Sequence, residues 1–252
     1  SSKLFERLGN RRMDGKFVGE LAESWAPSAD FQSYTIKLRQ GVKFHDGTDF
    51  DADVVVWNLE KILNDKSPQF DPKQAEQARG RVPTLVGWKA IDKYTVELTT
   101  RVVNALFPYD MSYVFYSSPT QWEKLGKDWV KYGLNPVGTG PFKVDRVVPR
   151  ERMELSRFDG YWDKARVPKL DKLVLLPIPE PSSRTAALRA GQVDWIEAPS
   201  PDSLDRLRAA GFKIETNAIP HMWPYTLSML PGAALTQASV PMMPSAPARF
   251  ST

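Results

Sequence analysis

The chain has 252 residues, 42% of them hydrophobic and 25% charged, with 34 basic against 30 acidic side chains and no cysteine. That length and balance suit a globular protein with one large core or two smaller ones. The net charge of +4 is spread along the chain, which lends nucleic-acid binding no support, and the lack of cysteine excludes disulfides, thiol catalysis and cysteine-ligated zinc.

In chain order, residues 1–12 read as the end of a helix. Tyr34, Ile36 and Leu38 then alternate with Thr35, Lys37 and Arg39, the period of a half-buried strand. Gln40 and Gly41 interrupt the alternation, Val42 and Phe44 resume it as a second strand, and Asp46-Gly47 supplies a turn. Asp51 suits an N-cap, Asp53 places negative charge in the first helical turn, and Val55, Leu59 and Ile62 follow at i, i+4, i+7. Residues 64–81, with Pro68 and Pro72 and no apolar period, read as a surface excursion. Residues 88–98 read as two strands around Asp92 and Lys93. Five aromatics gather between Phe107 and Tyr116, each open to a core or a ligand-facing role.

Ser118 and Pro119 announce a helix whose apolar stripe, Trp122, Leu125 and Trp129, runs through Tyr132. NPVGTGPFK at residues 135–143 lacks the Lys-Ser/Thr and the helix of a phosphate loop, so Gly138 and Gly140 are expected to allow a tight or left-handed backbone. Residues 142–148 and 152–158 form a predicted hairpin, and 172–177 a buried strand. Two tandem units follow: a helix capped by Ser182 or Ser183 and closed by Gly191 with a strand at 193–196, then a helix from Ser200 closed by Gly211 with a strand at 212–216. Residues 231–252 hold one charged side chain, Arg249, and no period, so they build no core. No G-x-S-x-G, H-E-x-x-H or phosphate loop is present, and His45 and His221 stand too far apart in sequence to suggest a metal site.

Residues 19–25 (GELAESW) and 34–48 (YTIKLRQGVKFHDGT), with PVGTGPF and RFDGYWD further on, closely resemble the signature segments of the family 5 extracellular solute-binding proteins of ABC importers. Asp159 stands where Asn is more usual in that family. The resemblance covers about residues 4–230, roughly half of a typical member. It implies an α/β fold like that of type II periplasmic binding proteins, two lobes with mixed sheets, truncated so that a third domain is missing. Residues 1–9 would be a remnant of a large-lobe helix, 10–115 the small lobe, 116–230 part of the large lobe, and 231–252 a disordered or aberrant tail such as out-of-frame translation produces. The implied function is solute binding in an interlobe cleft without covalent chemistry, with no catalytic or metal residue and no cofactor. Tyr113, Tyr116, His221, Trp223 and Tyr225 are the expected ligand contacts. Peptides are the commonest cargo, with sugars and nickel complexes as others, and the implied partner is a membrane permease of the ABC type. The implied compartment is periplasmic or extracellular, with no signal peptide visible in this chain. Open sheet edges could pair two truncated copies into a dimer. The alternatives are a non-binding fragment or structural remnant, and an enzyme such as a hydrolase.

Overall fold

The computed structural model describes residues 3–12 and 16–216. The chain divides into two compact units, Ser1–Pro179 and Glu180–Thr252. His221, Trp223, Tyr225 and the 231–252 tail lie outside the described residues. No helix among the described residues is long and apolar enough to cross a membrane.

The first unit opens with β1 (Gly9–Arg11), paired antiparallel with β2 (Phe17–Gly19). Residues 3–12 therefore hold no helix: residues 3–4 form a turn and 9–11 a strand. They are tied to distant strands and turns, and those contacts override a helical reading of Phe5 and Leu8. The strands β3 (Ala22–Pro27) and β4 (Ser33–Leu38) follow, and in β4 Tyr34, Ile36 and Leu38 are buried while Thr35 and Lys37 are exposed, as the alternation requires. Val42 and Phe44 are buried as predicted, but Lys43 makes only an isolated bridge to Asp49, so no second strand forms there.

Helix α1 (Ala52–Leu63) starts at Asp51, whose carboxylate accepts from the Val54 N–H, and it buries Val55, Leu59 and Ile62. The stretch read as a surface excursion contains a helix, α2 (Pro72–Arg79). Asp71 caps it, accepting from the Lys73 and Gln74 N–H groups, Pro72 opens it, and only two small side chains, Ala75 and Ala78, face inward. An apolar face that small leaves little periodicity to detect. The hairpin β5 (Leu85–Asp92) and β6 (Thr95–Thr100) completes an antiparallel sheet of order β3-β4-β6-β5, on which α1 packs. The core joins Tyr34, Ile36 and Leu38 to Val55, Leu59, Ile62, Val96 and Leu98.

A short helix, α3 (Phe107–Asp110), leads through a 3-10 turn at Met111–Tyr113 to α4 (Pro119–Lys124) and α5 (Trp129–Leu134). The single helix expected through Tyr132 is thus two. Gly126 and Lys127 both take positive φ, 74° and 63°, and Asp128 caps the second helix. The stripe still converges, because Trp122 and Trp129 stack 5.7 Å apart and both meet Trp57 of α1. Against these rings lies Lys61, fully buried, its ammonium donating to Asn58 Oδ1 (2.8 Å) and Ser117 Oγ (3.1 Å) and standing 5.5 Å from the Trp129 ring centre. Burial lowers its pKa to about 7, opposed by the charge of Asp71.

The third sheet, of order β7-β8-β9, consists of β7 (Phe142–Val148), β8 (Arg152–Arg157) and β9 (Lys172–Leu175). The predicted hairpin is present, with Leu155 buried. The third strand is not buried as expected. Among the described residues β9 pairs only with β8, and Val174 (52%), Leu175 (45%) and Leu176 (44%) are exposed on alternate faces.

In the second unit, α6 (Pro181–Arg189) is entered at Glu180 rather than at Ser182 or Ser183, with Pro181 in the first turn. A 3-10 turn at Pro201–Ser203 precedes α7 (Leu204–Ala209). Residues 193–196 and 212–216, read as strands, form no ladder. A strand needs a paired neighbour, and Arg184 instead holds the loop after α6 by donating to the Glu197 and Ala198 carbonyls.

Candidate functional site

The residues that make the sequence distinctive meet at one seam. The His45 N–H donates to the Gly138 carbonyl (2.9 Å). On the ring, Nε2–H donates to the Gly140 carbonyl (2.8 Å) and Nδ1 accepts from the Gly138 N–H (3.2 Å), which fixes one neutral tautomer. Burial lowers the His45 pKa to about 4. Beside it, Asp46 accepts from the Ser118 hydroxyl (2.5 Å) while Ser118 caps α4 through the Gln121 N–H.

The N-terminal segment closes the seam from the other side. The N–H groups of Gly140 and Phe142 donate to the Leu4 and Lys3 carbonyls. Neither Gly138 nor Gly140 has a positive φ, so the expected left-handed backbone is absent. Close approach is the reason for glycine: a Cβ on Gly138 would stand 2.0 Å from the Leu4 oxygen, and one on Gly140 2.7 Å from that of Lys3. Glu6 is buried and accepts from Tyr161 OH (2.7 Å) and Trp162 Nε1 (2.9 Å). Desolvation raises its pKa, partly offset by those two bonds. Arg166 lies 3.7 Å from Glu6 and 3.9 Å from Glu20. These motif residues hold the frame together. His45 has no free ring nitrogen with which to act as a base.

Of the expected ligand contacts, Tyr113 is 48% exposed with the Arg81 guanidinium 4.5 Å from its ring centre. Tyr116 is wholly buried, edge-on to Phe50 at 5.4 Å, and burial pushes its hydroxyl pKa up. Its hydroxyl has no hydrogen-bond partner. The structure therefore does not bring the two to one surface: Tyr116 is a core residue, because the backbone turns from the 3-10 segment into extended Val114.

Other aromatics, half-buried or exposed, do gather at a point earlier in the chain than Tyr113. Tyr109, one turn earlier and 41% exposed, stacks at 4.8 Å on Phe17, which meets Trp25 at 5.1 Å. Phe17 in turn lies across Gly9, where any Cβ would meet its ring at 2.3 Å. The hollow beneath these rings has a volume of only about 10 Å³, so they make a ledge and not an enclosed cavity. Such a ledge offers flat apolar faces to one side of a ligand, each ring contributing about 1.5–3 kcal/mol when covered. Phe17 carried no signal, since it lies with Val18 in a stretch without apolar period, and Tyr109 was one of five undifferentiated rings.

The chain is similar to known proteins over most of its length. The glutathione-binding protein GsiB of Shigella flexneri is 32% identical over 231 residues, covering 91% of this chain and 43% of that protein, and GsiB of Escherichia coli strain K12 gives the same figures. The chain thus spans less than half the length of the curated relatives it matches. Among solved structures, DppA of Helicobacter pylori, an ABC transporter-associated periplasmic binding protein in complex with the peptide STSA, is similar with a TM-score of 0.72 and 27% identity, over 82% of this chain and 43% of that one. NikA of Brucella suis, in complex with Fe(III)-EDTA, gives 0.67 and 30%, over 83% and 41%. Residues 16–236 match the family described as bacterial extracellular solute-binding proteins, family 5 Middle, and the chain belongs to that family.

Proposed function

We propose that this chain is part of the solute-binding component of an ABC importer and takes a peptide in a cleft between two lobes, residues 10–115 and 116–230. The observation that carries the reading is the ledge of Phe17, Trp25 and Tyr109, half-buried or exposed and too shallow to enclose a ligand alone, with exposed Tyr113 four residues further along the chain. A second wall closing over it would bury the solute, and differential contacts in the closed state would set the affinity. The names of GsiB and DppA support peptide-like cargo, and that of NikA, in complex with Fe(III)-EDTA, supports a metal chelate as the other class. His221, Trp223 and Tyr225 are further contacts on this reading, and the partner is a membrane permease facing the periplasm or the cell exterior.

Thermal unfolding of the 252-residue chain with short peptides, glutathione, oligosaccharides and nickel chelates tests this. A ligand at about a hundred times its Kd stabilises by about 2.7 kcal/mol. Peptides are expected to raise Tm, and Tyr113→Ala to abolish that rise while leaving the ligand-free Tm unchanged. A shift with sugars alone, or none with any class, would overturn the peptide reading. One observation favours a second reading, a non-binding fragment that pairs with itself: among the described residues β9 pairs on one edge only, and it has apolar side chains on both faces. On that reading sedimentation shows a dimer that Val174→Lys dissociates, and no ligand moves the melt.

A further inference from the structure

A second concave surface lies apart from the ledge. Arg39, Gln40 and Gly41, at the turn after β4, face Gly160, Trp162 and Lys164 across a groove of about 640 Å³. Trp162, one of its lining residues, is held by its bond to Glu6, and the Arg39 guanidinium lies 4.8 Å from the indole ring centre. Arg39 Nε donates to the Glu20 carbonyl (2.6 Å), which leaves its terminal N–H edge toward the groove. Lys164 donates to the Asp159 carbonyl (3.1 Å).

Neither cation has a carboxylate within ion-pair distance among the described residues, whereas their neighbours are saturated. Arg166 meets Asp163, Glu6 and Glu20, and Arg157 meets Asp159 and Asp171. The one carboxylate lining the groove, Glu23, is exposed and also unpaired there. The groove therefore offers two cations and one anion, each without an ion-pair partner among the described residues.

We infer that this groove binds an acidic α-amino acid, free or as the end of a short peptide, because that ligand carries the complementary set: two carboxylates and one ammonium. One carboxylate meets the terminal edge of Arg39 in two-point geometry, the other meets the Lys164 ammonium, and the ligand ammonium meets Glu23. The inference does not depend on the ledge being a solute site.

Isothermal titration of the 252-residue chain at low salt tests it, using L-glutamate, L-glutamine, glutarate, a dipeptide with C-terminal glutamate, and sulfate. L-glutamate is expected to give a saturable one-to-one isotherm, with glutamine and glutarate each about tenfold weaker for the loss of one charged contact. Tighter binding of the dipeptide assigns the site to peptide ends, and tighter binding of glutamate assigns it to the free amino acid. Lys164 is exposed, so Lys164→Gln leaves the fold intact and should erase the preference for glutamate over glutamine. Glu23→Gln should erase the preference over glutarate, and Arg39→Lys should weaken all carboxylates. No saturable heat up to about 10 mM, equal affinity for glutarate, or sulfate binding as well as glutamate would overturn the inference. Tyr113→Ala should leave these isotherms unchanged, which keeps a failure here distinct from a failure at the ledge.

Discussion

His45 at the seam and Lys61 among the tryptophans are both buried ionisable groups whose burial favours the neutral form, yet they are satisfied in opposite ways. His45 uses both ring nitrogens on backbone groups of one segment, and each bond joins parts of the chain more than ninety residues apart. Lys61 finds only neutral side-chain oxygens, one of them three residues away on its own helix, and an indole face. A buried polar group that links distant backbones specifies the fold. One that bonds only to neutral side chains chiefly carries its own desolvation cost.

The largest way to break the seam is Gly138→Ala. With the Leu4 carbonyl 2.0 Å from the new Cβ, backbone must move, and a loss of about 3 kcal/mol or more is expected from urea denaturation. Alanine at exposed Gly133, where a Cβ meets nothing, is the matched control.

Next comes pH. The folded-state pKa of His45, about 4, lies below the unfolded value of 6.5, so the unfolded chain binds more protons between them. Stability is fully present above pH 6.5 and is lost as pH falls toward 4, by up to about 3 kcal/mol. Asp46 raises and Lys143 lowers the His45 pKa, while the raised pKa of Glu6 acts in the opposite direction in acid. His45→Gln keeps a donor for Gly140 and should flatten this acid limb in a series of denaturation curves. An unchanged limb would mean that other groups govern it.

Lys61→Met sharpens the contrast with a smaller effect of opposite sign. The folded pKa near 7 lies below the unfolded 10.5, so the penalty of the buried ammonium is complete below pH 7 and is relieved as pH rises toward 10. The variant should gain about 1–3 kcal/mol at pH 6 and lose the alkaline rise. A destabilised variant would show that the ammonium is worth more to its three neighbours than its desolvation costs.

Local periodicity was enough to read β4, α1 and the β5–β6 hairpin, because in each the core face is marked by Val, Ile, Leu or Tyr at the right spacing. It was not enough for α2, where two alanines make the face, nor for the helix broken between Trp122 and Trp129, where Lys127 takes a conformation that lysine rarely signals. The motif strings pointed to the family but not to the task of their residues. That His45 serves Gly138, and Glu6 serves Tyr161, is a fact about residues far apart in sequence, which leaves no local pattern. The ledge was half legible: the aromatic cluster stood out, but only the turn at Val114 decides that Tyr113 faces outward and Tyr116 inward.

The partners of residues 3–6 have a consequence for biosynthesis. Lys3 and Leu4 bond at 140–142 and Glu6 at 161–162, so residues 3–6 cannot be placed until about 135 further residues have left the ribosome. At about 5–20 residues per second that is a wait on the order of ten seconds. The sheet β3-β4-β6-β5 and α1, encoded entirely within that interval, can assemble first, and residues 3–6 join them as a late arrival. A ribosome stalled before Tyr161 would hold a chain whose central sheet is built and whose Glu6 still faces water.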